Sequence, residues 1–178
     1  KKITFSLHYQ ADQIIKQITA DSPVNCEMVF VTEDTPLGTG GALKFASNTI
    51  SQSSFIALNG DTHSSLDYAK FFKEMMNNEF AIAGISVKSA ERYGLLHFDD
   101  GHILTGITEK GFKGPGVINS GTYLISKSSL NEIEEEVFSF EEVFIPRYFG
   151  KAKVSVFEGD FIDIGIPKDY DLACEYFR

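Results

Sequence analysis

The chain has 178 residues, 43% of them hydrophobic, which suits one domain with a sizeable core. Its formal net charge is −9 and its pI about 4.9, and the basic patch that a nucleic-acid binder would normally show is not visible in the sequence. No apolar run approaches the ~18–20 residues of a membrane helix, and no signal peptide is read, so neither a nucleic-acid nor a membrane partner is expected and the compartment is read as cytoplasmic.

An acidic chain can still bind phosphate locally, through backbone N–H groups, a lysine or two and a metal. Cys26 and Cys174 have no metal-ligand spacing and read as buried free thiols. His8, His63, His97 and His102 are scattered and read as neither ligands nor bases. The chain opens at Lys1-Lys2 and runs straight into an internal-looking strand, so a preceding strand and glycine-rich loop are expected upstream.

In chain order, Ile3–Leu7 reads as a strand. Ala11–Ile18 reads as a helix with Ile14, Ile15 and Ile18 on one face. Glu27–Thr32 is a strand, and Gly41–Ile50 a helix with Leu43 and Ala46 inward. Phe55–Leu58 is an apolar strand ending at Asn59-Gly60-Asp61. Ser64 and Asp67 resemble a capping arrangement before a helix carrying Leu66, Ala69, Phe72 and Met76 at helical spacing. Phe80–Val87 is the next strand. Alternating strands and helices argue for an α/β fold, Rossmann-like, with a mostly parallel sheet and helices on both faces.

The pattern then changes. Tyr93–Phe98 and Ile103–Thr108 flank Asp99-Asp100-Gly101-His102, and Asp-Gly between apolar runs predicts a hairpin. Val117–Ile125 is a strand. Ser139-Phe140-Glu141-Glu142 has the form of a capping box before a helix Glu141–Phe149, ended by Gly150. Lys153–Phe157 and Phe161–Ile164 are short strands, and Pro167 opens a helix reaching about Phe177. An antiparallel insert in a single α/β domain is the expectation.

Several short motifs carry chemistry. Leu37-Gly38-Thr39-Gly40-Gly41-Ala42-Leu43 is a glycine-rich turn into a helix, where backbone can approach a flat ring or a phosphate. It reads equally as a tight turn with no ligand, and it lacks the Gly-Lys-Ser/Thr ending of a Walker loop. Asp61 after its strand reads as a turn former or as a metal carboxylate. Asp163 sits within Phe161-Ile162-Asp163-Ile164, among residues expected to be buried, where a carboxylate must be paired, hydrogen-bonded or metal-bound. Glu109-Lys110 reads either as an exposed charged pair or as a contact to sugar hydroxyls and phosphate. Tyr93-Gly94 and Asn119-Ser120-Gly121 would then be a wall and a floor for the same sugar.

Taken in order, Leu37–Leu43, Leu58–Asp61, Tyr93-Gly94, Glu109-Lys110, Asn119–Gly121 and Phe161–Asp163 resemble the sugar-1-phosphate nucleotidylyltransferases over nearly the whole chain. Pro36–Ala42, Ser139-Phe140-Glu141 and Phe161–Tyr170 are most similar to the D-glycero-D-manno-heptose 1-phosphate guanylyltransferase branch. The resemblance implies that a sugar 1-phosphate attacks the α-phosphorus of a nucleoside triphosphate, GTP in that branch, with pyrophosphate leaving. The product would be a nucleotide-diphospho-sugar, here GDP-heptose, for surface polysaccharide. It implies Mg²⁺ at Asp61 and Asp163, nucleotide binding by Gly38, Thr39, Gly40, Gly41, Asn59 and Gly60, and sugar contacts from Tyr93, Gly94, Glu109, Asn119, Ser120 and Gly121. Lys110 would hold the sugar phosphate, making Asp61, Lys110 and Asp163 the catalytic set. The family's first strand and Gly-Thr-Arg loop match nothing in this chain. A metal-dependent glycosyltransferase and a non-catalytic nucleotide-sugar regulatory subunit are the rival readings. Homo-oligomerisation is left open.

Overall fold

The alternation in the first thirty or so residues becomes a parallel strand pair: β1 (Lys2–Leu7) lies beside β2 (Glu27–Thr32), with Phe5 opposite Phe30. Those two rings stack with centroids 5.1 Å apart, a cross-strand pair of the kind that fixes register. The computed structural model describes residues 2–21, 25–108 and 110–177. The chain divides into two units, Lys1–Ser53 with Lys127–Arg147, and Ser54–Ser126 with Tyr148–Arg178.

In the first unit, α1 (Ala11–Asp21) keeps Ala11, Ile14, Ile15 and Ile18 inward and exposes its polar face, as its periodicity predicts. The second helix, α2 (Gly38–Ser47), starts three residues earlier than the sequence suggests. Ser6 of β1 donates to the Ala42 carbonyl at 3.3 Å, tying strand to helix. A short α4 (Lys127–Asn131) went unread, because five residues give no periodicity to detect. The helix expected over 141–149 is instead a π-helical turn, Phe140–Phe144, followed by a 3₁₀ turn, Ile145–Tyr148. Pro146 has no N–H to continue an α ladder, and the Ile145 N–H reaches back five residues to the Phe140 carbonyl. The cap itself is as read: Ser139 Oγ accepts from the Glu142 N–H at 3.1 Å.

The second unit is built on a six-stranded sheet. Its strands are β3 (Ser54–Leu58), β5 (Phe80–Val87), β6 (Leu95–Phe98), β7 (Leu104–Thr108), β8 (Gly116–Ser126) and β9 (Lys153–Phe157). The order is β7-β6-β8-β5-β9, with β3 added on β8. β5 and β9 are parallel, while β3–β8, β5–β8, β6–β7 and β6–β8 are antiparallel, so this sheet is mixed. β5 is buried from Phe80 to Ile85, which is why it reads as a continuous apolar run; β8 is buried from Ser120 to Ser126 although Ser120, Thr122 and Ser126 are polar. The hairpin is where Asp-Gly places it, with His102 at φ 58° and the Asp99 carboxylate accepting from the Ile103 N–H at 2.8 Å.

Helix α3 (Tyr68–Met75) is capped by Asp67, whose side chain accepts from the Lys70 N–H at 2.9 Å. Its buried residue is Phe71, packed on Ala81, Ala83 and Leu124; of the four residues at helical spacing, Leu66 and Phe72 pack against the same cluster and Ala69 and Met76 are exposed. The last strand pair is a separate antiparallel ladder of β4 (Thr62–Ser64) and β10 (Phe161–Asp163). Helix α5 (Pro167–Tyr176) opens on Pro167 as predicted. Cys26 and Cys174 are free and half-buried, more accessible than the reading of buried thiols.

Candidate functional site

Asp61 and Asp163 lie 102 positions apart in sequence and meet at the end of the β4–β10 ladder. Asp163 is opposite Thr62, and the Ile164 N–H donates to the Asp61 carbonyl at 2.9 Å. Alternation along the ladder groups Asp163 with Thr62 on one face and Ile162 with His63 on the other. Asp61 stands in the turn before β4, outside that alternation. Its carboxylate is exposed and has no hydrogen-bond partner among the described residues. Asp163 is half-exposed, which corrects the expectation of burial: a three-residue edge strand covers only part of each side chain. One of its oxygens, Oδ1, accepts from the Gly165 N–H at 2.7 Å, leaving the other open. Beside Asp61 a cavity of about 320 Å³ opens, walled by Ile162, Ile164, Tyr170, Cys174 and Phe177.

Tyr93 faces the same strand. Its ring meets Phe161 edge-on at 5.5 Å, and both pack on the cluster of Ile85, Ala90, Leu95 and Ile118. Burial pushes the Tyr93 phenol above its ordinary pKa, while the neighbouring Arg92 charge works against that. Arg92 lies over the Tyr93 ring at 5.6 Å and pairs with the buried carboxylate of Asp169 in the first turn of α5. The hydrogen bond to Asp169 raises the Arg92 pKa further, so the guanidinium stays charged. Neither Arg92 nor Asp169 was singled out from sequence. Opposite charges 77 residues apart carry no local signal, and Asp169 looks like an ordinary first-turn acid.

Asn119-Ser120-Gly121 is a bulge in β8: Thr122 pairs with Ala83 and Asn119 with Gly84, so two residues stand unmatched. Ser120 is buried and donates to the Ala83 carbonyl at 2.7 Å, so this candidate sugar contact is a structural hydroxyl. Asn119 accepts from the Gly121 N–H at 2.9 Å and donates to Tyr123 Oη at 2.8 Å; its amide holds the bulge. The bulge is joined to both neighbouring motifs. The Asn59 N–H donates to the Gly121 carbonyl, and the Asn119 N–H to the Gly94 carbonyl. Gly60 is exposed in the turn before Asp61. Lys110 is exposed, and Glu109 lies outside the described residues.

The glycine turn belongs to the first unit, and packing accounts for its composition. A Cβ on Gly40 would fall 2.0 Å from the Phe138 ring, and one on Gly41 would fall 2.2 Å from the Glu136 carbonyl oxygen. The Gly40 and Gly41 N–H groups both point at the Phe138 carbonyl, at 2.9 and 3.4 Å, so they are not free phosphate donors. Thr39 donates to Glu141 at 2.7 Å and accepts from the Phe140 N–H at 2.8 Å. Next to this turn is a cavity of about 450 Å³ lined by Glu33, Leu37, Gly41, Lys44, Asn48 and Glu136, among others. The size is in the range of small-molecule sites.

An α/β fold with two carboxylates at adjoining strand ends is a framework on which nucleotide sites are built. The chain belongs to the nucleotidyl transferase family, whose model matches residues 1–175. It is 33% identical over 172 residues to the D-glycero-alpha-D-manno-heptose 1-phosphate guanylyltransferase of Campylobacter jejuni, covering 96% of this chain and 76% of that one. It is 37% identical over 146 residues to the enzyme of the same name from Aneurinibacillus thermoaerophilus, covering 79% and 63%. Among solved structures, HddC from Yersinia pseudotuberculosis complexed with GMP-PN superposes with a TM-score of 0.93 at 45% identity, covering 99% of this chain and 78% of that one. Among the described residues, no helix is long and apolar enough to cross a membrane.

Proposed function

We propose that this protein joins GTP to D-glycero-D-manno-heptose 1-phosphate, releasing pyrophosphate and giving GDP-heptose. The observation that carries this reading is the likeness to HddC, solved with GMP-PN, together with two relatives named as heptose 1-phosphate guanylyltransferases. The attacking phosphate is already ionised, so the reaction asks for alignment and charge neutralisation rather than a general base.

In this reading the cavity beside Leu37 and Gly41 takes the base, its walls held close by the contacts of Gly40 and Gly41 with residues 136–138. Asp61 and the open oxygen of Asp163 would suit a hard divalent cation such as Mg²⁺ by donor type. When bound, such an ion screens and orients phosphate oxygens. Tyr93 and Gly94 wall the sugar, Glu109 accepts from its hydroxyls, and the exposed Lys110 meets its phosphate. Asn119, Ser120 and Gly121 act through the bulge rather than through their side chains.

The test is pyrophosphate release by the full-length protein with each nucleoside triphosphate against a panel of sugar 1-phosphates. The expected result is the highest kcat/KM with GTP and the heptose. A clear preference for another base or sugar overturns that specificity, and product binding without turnover overturns catalysis. Glu109→Ala should raise KM for the sugar phosphate far more than for the triphosphate, because a site built around a hydroxyl discriminates strongly when the pairing is lost. Equal effects on both would place Glu109 elsewhere.

A further inference from the structure

We propose that the Arg92–Asp169 ion pair is a positioning device. It clamps the turn bearing Tyr93 to the start of α5 and so fixes the Asp61–Asp163 corner between them. The value of that corner as a cation site rests on the function proposed above; the clamp itself rests on geometry. Asp169 is buried at 9% exposure in the first turn of α5, six residues after Asp163. Its partner Arg92 comes from the turn after β5, which is held on the other side by the Ala90 N–H donating to the Gly114 carbonyl.

From Arg92 a continuous set of contacts runs back to the carboxylate. The guanidinium lies over Tyr93, Tyr93 meets Phe161 edge-on, and Phe161 begins the strand that ends in Asp163. That strand is only three residues long, too short to hold its own register. Its end is half-exposed, and the Ile164 N–H bond to the Asp61 carbonyl joins the two carboxylate-bearing segments beyond the ladder. Between β10 and α5 lie only Ile164, Gly165 and Ile166. Anchoring α5 at Asp169 therefore restrains the direction in which Asp163 leaves its strand. Arg92 makes no other hydrogen bond among the described residues, so its long side chain is ordered by this pair and by the Tyr93 ring.

A clamp and an electrostatic neighbour predict opposite signs. The Arg92 charge is felt by Asp163, so if that were its whole effect, removing it would tighten cation binding. If Arg92 is a clamp, removing it loosens the corner and weakens cation binding. The experiment uses the full-length protein and three variants: Arg92→Met, Asp169→Leu and the double variant. Amide hydrogen exchange is followed at Ile164, and Mn²⁺ binding by electron paramagnetic resonance. The expected result is about a tenfold loss of protection at Ile164 in each single variant, with Ala83 in β5 unchanged. The double variant should be no worse than either single one, because the two residues act as one unit. The Mn²⁺ dissociation constant should rise in parallel. Asp169→Asn keeps an oxygen for Arg92 and should retain most of the protection. If Arg92→Met fails to fold, Arg92→Lys carries the same test with a smaller expected loss.

Unchanged protection at Ile164, additive losses, or tighter Mn²⁺ binding overturns the clamp. Lost protection in a protein whose wild type does not bind Mn²⁺ through Asp163 leaves the clamp standing and overturns the cation site.

Discussion

At the scale of single residues, Asp163 separates chemistry from folding cleanly. Asn at this position can still accept the Gly165 N–H, so Asp163→Asn should keep the local turn and the fold. What it loses is the charge that the proposed cation site requires of this ligand. Turnover should fall about a hundredfold or more while the urea midpoint stays nearly constant; an unchanged metal-dependent rate would remove Asp163 from the site. Gly121 is the reverse case. Its φ of +71° disfavours a side chain, and an added Cβ would fall 2.6 Å from Asn59 Nδ2. Gly121→Ala should destabilise the protein by about 1–3 kcal/mol, read as a lower urea midpoint at unchanged slope. These two residues also show what a sequence can disclose. An aspartate inside Phe-Ile-Asp-Ile draws notice because its neighbours suggest burial, yet Asp163 is half-exposed, so the apolar run located the residue for a reason the structure does not bear out. Ser120 gave the opposite impression: nothing local distinguishes a hydroxyl aimed at a sugar from one buried against the Ala83 carbonyl. Only the register slip in β8 tells them apart, and that slip is a property of a strand pair.

At the scale of elements, period and apolar runs located most strands within a residue or two, while helix ends were missed by three residues in α1 and α2, and prediction failed where a third influence intervened. α3 is the instructive helix. Spacing offers Leu66, Ala69, Phe72 and Met76; Leu66 and Phe72 do pack on the core, but Ala69 and Met76 are exposed and the fully buried residue is Phe71, at 1% exposure. Phe71→Ala should cost about 3–5 kcal/mol, because it empties a site beside Leu124 whose other neighbours, Ala81 and Ala83, are too small to close over it. Asp67→Ala, which removes the cap on the Lys70 N–H, should cost only about 1 kcal/mol. Denaturant unfolding of both variants checks the ordering, and a larger loss at Asp67 would mean that α3 is held by its terminus rather than its face. The turn after Ser139 departed from an α-helix for a local reason that was visible in advance, the missing N–H of Pro146. The β4 strand was not visible: Thr-His-Ser has no alternation to read, and it exists because β10 pairs with it.

At the scale of the molecule, burial is uneven, and this predicts an order of opening. In the second unit, β5 is paired on both edges, to β8 and β9, and six successive residues from Phe80 to Ile85 are buried. Opening it exposes most of that unit's core at once, so its amides should exchange only through global unfolding. In the first unit, β1 pairs only with β2 among the described residues, and no residue of either strand is fully buried. A two-stranded pair gains little independent stability from its own hydrogen bonds. β3 is intermediate: β8 covers one of its edges, and no described strand covers the other. Amide exchange of the chain Lys1–Arg178 should therefore be fastest in β1 and β2, slower in β3, and slowest in β5 and β8. The difference between β1 and β5 should be at least about a hundredfold, since each 1.4 kcal/mol of opening free energy is a factor of ten. A strand laid along the open edge of β1 or β3 would pair the N–H and C=O groups left there and slow exchange at those positions selectively, with β5 unchanged. Uniform exchange across β1, β3 and β5 would refute the ordering and mean that the chain opens as one cooperative body.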